Sequence, residues 1–217
     1  LTPPDPTPIT KREKVIVLDT EFTGLVDLPK DTGGVQKAFP LNLESKAGLG
    51  YYAYTPGGYD DNDKDYPLIV FLHGSGERGN SYKTPQLLDL VLVHGPSKLI
   101  AENSWKPSYP CLVVSPQSEG DWLPEQIHSF IEYLIDTYRV NPKRIYITGL
   151  SMGGRGCWNY EGTIGHKSYV AALVPICGYG KPGLASQMIN TPIWAFHGAD
   201  DEVVKPFVNG GSFQMVS

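Results

Sequence analysis

The sequence predicts one α/β domain built on a mostly parallel sheet with helices on both faces. Three observations carry that expectation. Short, continuous apolar runs read as strands buried on both sides; helical stretches stand between them; and turn formers punctuate the junctions. With 217 residues and 41% hydrophobic composition, the chain can bury one sizeable core. The 24 glycines and 19 prolines foretell many turns and long loops.

Residues 1–34 read as a proline-rich linker and N-terminal extension, and residues 35–217 as the domain. Within the extension, Val15–Leu18 is a short apolar run. Phe39–Leu43 and Gly50–Tyr54 are expected as two adjoining strands, parted by the turn residues Ser45–Gly48. Asp60–Asp65 alternates oxygen-bearing side chains as a calcium loop does, but lacks that loop's glycine and distant glutamate, so a solvated turn is expected. Pro67–Leu72 and Cys111–Ser115 are buried-strand runs, the second closing on Pro116 and Gln117, and Pro85–Val93 reads as helical. Between Pro124 and Val140, Ile127, Phe130, Ile131, Leu134, Ile135 and Tyr138 recur at spacings of three and four, which predicts an amphipathic helix. Arg144–Thr148, Val170–Cys177 and Pro192–Phe196 complete the strands.

Composition excludes several functions. A net charge of −5 without clustered Lys and Arg leaves no footprint for nucleic acid. No apolar run nears the ~20 residues of a membrane-spanning helix. The three cysteines, Cys111, Cys157 and Cys177, are too few for a disulfide scaffold and lack metal-site spacing. Cys111 and Cys177 sit in strand-like runs and read as buried thiols.

The residues that carry chemistry are Gly149-Leu150-Ser151-Met152-Gly153. A predicted strand enters this pentapeptide and a helix-compatible stretch, Gly153–Trp158, leaves it. That is the context of a nucleophile elbow, where a strained turn lifts a serine hydroxyl above the sheet. A serine hydroxyl needs a general base, itself oriented by an acid, and with this elbow the chain order is Ser, acid, His. The loop after Phe196-His197-Gly198 offers Asp200 and Asp201, which spacing alone leaves nearly equal. The oxyanion that forms on the substrate needs backbone donors. The amide of Met152 is one candidate; the amide of Ser75, in the glycine-rich loop His73–Gly79, is the second, with Gly76 next to it. None of the five histidines (His73, His94, His128, His166 and His197) follows Asp201. His73 and His197 read as structural, His128 and His166 as surface residues. The expectation is therefore a catalytic histidine beyond Ser217, with the last strand and helix of the fold also lacking from this segment.

Taken in order, His73–Gly79, Ser115-Pro116-Gln117, Gly149–Gly154 and Phe196-His197-Gly198 resemble the phospholipase/carboxylesterase-like and polyhydroxybutyrate-depolymerase-like serine esterases, whose relatives include feruloyl and acetyl-xylan esterases. The resemblance spans roughly residues 35–217. It implies an α/β-hydrolase fold and cofactor-free hydrolysis of carboxylic esters through an acyl-enzyme on Ser151. It also implies Asp201, four residues after His197, as the acid. A small-molecule or polysaccharide-linked ester is the substrate it implies, and the 13 tyrosines and 4 tryptophans could stack on sugars or aryl acids. Export from a bacterium, or anchoring at its surface, agrees with the Pro/Thr-rich stretch 1–8. The alternatives are a prolyl-oligopeptidase-like peptidase, which shares the elbow and the triad order, and a non-catalytic binding protein on the same fold.

Overall fold

The computed structural model describes residues 27–216, so Val15–Leu18 and most of the N-terminal extension lie outside the described residues. Strands β1 (Val35–Phe39), β2 (Gly50–Thr55), β3 (Tyr66–Leu72), β4 (Leu112–Gln117), β5 (Val140–Leu150) and β6 (Val170–Ile176) form one sheet in the order β1-β2-β4-β3-β5-β6. The first two pairings, β1 with β2 and β2 with β4, are antiparallel; β4 with β3, β3 with β5 and β5 with β6 are parallel. Helices α1 (Gly95–Ala101), α2 (Pro124–Thr137), α3 (Met152–Ile164) and α4 (Ser212–Met215) stand between and after the strands.

Side-chain alternation along the strands divides the core between two faces. On β3, Leu68, Val70 and Leu72 point into the main cluster, with Tyr51, Val114, Phe130, Ile131, Leu134, Ile147 and Tyr160, so α2 and α3 cover this face. Ile69 of the same strand faces the other way, with Tyr54 and Val113, and Ile100 of α1 packs there. Burying each such aliphatic side chain contributes about 1.5–3 kcal/mol. Tyr51 adds a stack on Phe39 at 4.8 Å and an edge-on contact with Phe130 at 5.4 Å.

Several elements differ in extent from their expected bounds. The strand expected over Phe39–Leu43 does not form: β1 lies before it, at Val35–Phe39, and the chain leaves the sheet at Pro40, which has no N–H to offer a ladder. Pro85–Leu92 winds as a 3-10 helix, and α1 follows it without a sequence signal that set it apart. Helix α2 ends at Thr137, where Tyr138 turns extended and leads directly into β5. An irregularity in the β3–β5 register accommodates 141–144, including Pro142. Cys177 falls just outside β6 and is half-buried at φ +40°, while Cys111 is buried and its thiol is pushed up to about 12 by desolvation.

Residues 192–196 run parallel to β6 as expected, but form isolated bridges rather than a continuous strand. Leu173 N–H donates to the Pro192 carbonyl, Trp194 N–H to Leu173, Phe196 N–H to Pro175, and Cys177 N–H to Phe196. The one donor missing from this ladder belongs to Pro175, which has no N–H, so the pairing breaks at its centre.

Candidate active site

Ser151 occupies the single-residue junction between β5 and α3, with φ +55° and ψ −110°. A non-glycine residue adopts that conformation only where its surroundings hold it. Two close approaches do so. A Cβ on Gly153 would lie 1.9 Å from the Leu72 carbonyl oxygen, and one on Gly149 would lie 2.5 Å from the Gly153 backbone. Glycine at both positions lets α3 start directly against the end of β3. Ser151 N–H donates to the Ile176 carbonyl at 2.9 Å, and its own carbonyl accepts from Arg155. The serine is half-buried, and Met152 is the first residue of α3, so its amide belongs to the turn that has no intrahelical acceptor.

The loop after β3 comes up beside this turn. A Cβ on Gly74 would sit 3.8 Å from Ser151 Cβ, so the chain passes the serine at van der Waals distance, and Ser75 and Gly76 stand exposed immediately after it. His73 is the buttress of that loop. It is 1% exposed, and its Nδ1 donates to the Gly74 carbonyl at 2.6 Å. Its Nε2 accepts from the Ser118 amide at 2.9 Å, which fixes the neutral Nδ1–H tautomer and ties the loops after β3 and β4 together. Desolvation lowers the His73 pKa, in keeping with a neutral ring.

Asp201 stands beyond the Pro192–Phe196 segment. Its Oδ1 accepts both the Val203 and Val204 amides at 2.9 Å, which leaves Oδ2 free of that turn and 3.4 Å from His197 Nε2. Hydrogen bonds from Val204 and Val203, then the nearby His197 ring, hold its carboxyl below the usual aspartate value. Asp200 has an exposed side chain.

The histidines are all placed. The side chain of His197 is 1% exposed, with Nδ1 on Ser212 Oγ at 2.9 Å and Nε2 on the Val204 carbonyl at 2.6 Å. A carbonyl only accepts, so Nε2 carries the hydrogen. His94 Nδ1 meets Glu77 Oε1 at 3.0 Å; His128 bonds Tyr160 and stacks on Tyr169; His166 is exposed. Among the described residues, none of them hydrogen-bonds Ser151.

One feature of the rim had no sequence signal. Asp121 takes Arg78 on Oδ1 and Arg155 on Oδ2, each at 3.0 Å, and Arg155 lies over the Tyr179 ring at 5.1 Å. This joins the loop after β3, the loop after β4 and the first turn of α3. The residues involved are far apart in sequence and none is of an unusual type. Three or more His, Cys, Asp or Glu side chains in metal-binding array do not occur among the described residues.

No protein-family model matches the chain. It is 25% identical over 168 residues to the bifunctional acetylxylan esterase/xylanase XynS20E of Neocallimastix patriciarum, across 74% of this chain and 22% of that protein. A solved thermostable esterase aligns at 30% identity and a TM-score of 0.58, over 84% of this chain and 50% of that one. The acetyl xylan esterase from Aspergillus awamori aligns at 14% identity and a TM-score of 0.51, over 80% and 75% of the two chains. The chain thus spans half the length of the thermostable esterase and less than a quarter of the curated relative. The fold is that of the α/β hydrolases, as the sequence motifs implied.

Proposed function

We propose that the chain carries the nucleophile, acid and oxyanion donors of a serine hydrolase that cleaves carboxylic esters through an acyl-enzyme. The observation that carries this reading is Ser151 itself, a serine held at φ +55° between a parallel strand and a helix, with a second donor loop packed against it. A merely structural turn at that place would be met more cheaply by glycine. The turn is a nucleophile elbow in this reading.

In the reaction, Ser151 Oγ attacks the acyl carbon while a histidine general base takes its proton. The Met152 and Ser75 amides donate to the oxygen that becomes an anion, and each such donor is worth ~10²–10³ in rate. The base then returns the proton to the departing alcohol, and water releases the acid by the same steps. Asp201 orients the histidine through Oδ2; its Oδ1 is held by two amides, so the carboxylate is fixed before substrate arrives. Asp200 lacks that anchoring.

Carbohydrate-linked esters are the substrate class this reading favours, because two of the esterases that resemble the chain are named for acetylated xylan. Esters attached to polymeric carbohydrate lie outside cells, so export belongs to the same reading, and no helix among the described residues is long and apolar enough to cross a membrane. Residues 35–217 form the hydrolase domain in it. The test is hydrolysis of an aryl acetate by the full-length protein. Ser151→Ala abolishes it if the reading holds, and activity that survives the substitution overturns it.

A further inference from the structure

Glu77 ends the 3-10 turn Ser75–Glu77, the turn that carries the Ser75 amide, and its side chain folds inward. It is 6% exposed, whereas Ser75 and Gly76 of the same turn are exposed. Oε1 meets His94 Nδ1 at 3.0 Å; a carboxylate oxygen only accepts, so that nitrogen carries the hydrogen. Oε2 is sealed from solvent and has no partner among the described residues. It lies against Gly74: a Cβ built there would stand 3.1 Å from Oε2 and 3.8 Å from Ser151 Cβ. One glycine therefore separates this carboxyl from the serine.

His73 pins the loop before this turn, and Arg78 pins it after. Between them, the turn's internal bond runs from the Glu77 N–H to the Gly74 carbonyl at 3.4 Å, long for a hydrogen bond. Ser75 N–H and Gly76 N–H meet no protein acceptor among the described residues. They are free to donate to a ligand, but no bond of their own keeps them aimed. Glu77 supplies the order. Its carbonyl accepts from Gln117 Nε2 at 3.2 Å, and its side chain is held by His94. His94 is the residue before α1, its carbonyl accepts from Ser97 Oγ, and Ile100 of that helix packs on the sheet. The pair thus ties the donor loop to the body of the fold.

Negative charge beside Ser151 opposes the anion that forms on the substrate. The His94 N–H on Oε1 offsets part of that opposition, as a charge-assisted hydrogen bond does. A buried polar atom left unpaired is costly, and a native fold keeps one where position matters. We infer that Glu77 is a positioning residue of this reaction: it aims the free amides of Ser75 and Gly76 at the oxyanion, with His94 holding its carboxyl and tempering its charge. The inference rests on the reading of Ser151 as nucleophile and of this loop as oxyanion donor.

The test measures kcat and KM for phenyl acetate with the full-length protein and its variants. Glu77→Ala removes the anchor, and kcat should fall about 100-fold with KM unmoved, as for the loss of one oxyanion donor. Glu77→Gln keeps the shape and the acceptor for His94 without the charge, and should lose only about threefold. His94→Ala leaves the charge bare, and kcat should fall about tenfold. Joining Glu77→Gln to His94→Ala should bring that deficit back to about threefold, because no charge is left to temper. A kcat for Glu77→Ala close to the parent's overturns the positioning role, as does a loss carried by KM alone. Should Glu77→Ala not fold, the double variant decides: if it is slower than His94→Ala, the pair is merely structural and the inference falls. Hydrolysis that survives Ser151→Ala overturns the nucleophile and this inference with it, and is seen without touching Glu77.

Discussion

Replacing Ser151 with glycine should make the protein more stable than replacing it with alanine. The serine's φ of +55° and ψ of −110° belong to a region that costs a residue bearing a Cβ about 1–3 kcal/mol. Alanine keeps that Cβ and therefore the strain. It also forfeits little else, because among the described residues Ser151 Oγ makes no hydrogen bond. Glycine removes the strain but enters folding with a more disordered unfolded chain, which returns about 0.5–1 kcal/mol. At the middle of both ranges the net gain of Ser151→Gly over Ser151→Ala is about 1 kcal/mol. For a domain of this size it corresponds to a rise in Tm of roughly 2–4 °C. Scanning calorimetry and urea denaturation of the two full-length variants measure it directly, and both variants lack the hydroxyl, so its chemistry does not enter the comparison. A Ser151→Gly protein no more stable than Ser151→Ala would refute the claim that the turn stores strain. With it would go the strongest structural reason for assigning the serine a chemical role.

Two further substitutions probe the acid loop and the interior. Asp201→Asn retains the Oδ1 that accepts the Val203 and Val204 amides, so the loop keeps its shape while the charge is lost. Ester hydrolysis should fall by about 10⁴-fold, whereas Asp200→Asn should change it less than threefold, and equal effects would remove Asp201 from the triad. Glu161 is 2% exposed on α3, with Oε1 accepting from Thr191 and Oε2 unpartnered, and burial raises its pKa. A carboxyl raised on folding stabilises fully below its unfolded value, near 4.5, and loses that contribution as pH climbs through the folded value. The stability of Glu161→Gln relative to the parent should therefore improve from pH 4 to pH 8, whatever the offset between them, and a gap that stays constant with pH would count against the buried acid.

Local signals are legible in the sequence. Five of the six strands, the helix from Pro124 and the glycine turn at Ser151 follow from apolar periodicity and from glycine and proline placement, because these act over a few neighbouring residues. The weaker points were boundaries and hydrogen-bond arithmetic. Pro40 ends β1, and Pro175 removes the one donor that would have made 192–196 a continuous strand. Both prolines stand openly in the sequence, yet their effect depends on which neighbour each amide would have faced.

What the sequence determined by itself is the chemistry available: a serine in a glycine-framed turn, an acid loop after a buried run, and a donor loop rich in glycine, all on the connections of one α/β sheet. Only the tertiary structure decided which of them meet. It set Gly74 against Ser151, turned Asp201 rather than Asp200 onto two backbone amides, and buried both nitrogens of His197 in local hydrogen bonds. It also brought Arg78, Asp121 and Arg155 together from three separate connections. The reason is one of range. Strand and helix formation are governed by contacts a few residues apart, whereas parallel pairing of β3, β4 and β5 brings loops 34 to 43 residues apart onto one edge, and no local pattern records that encounter.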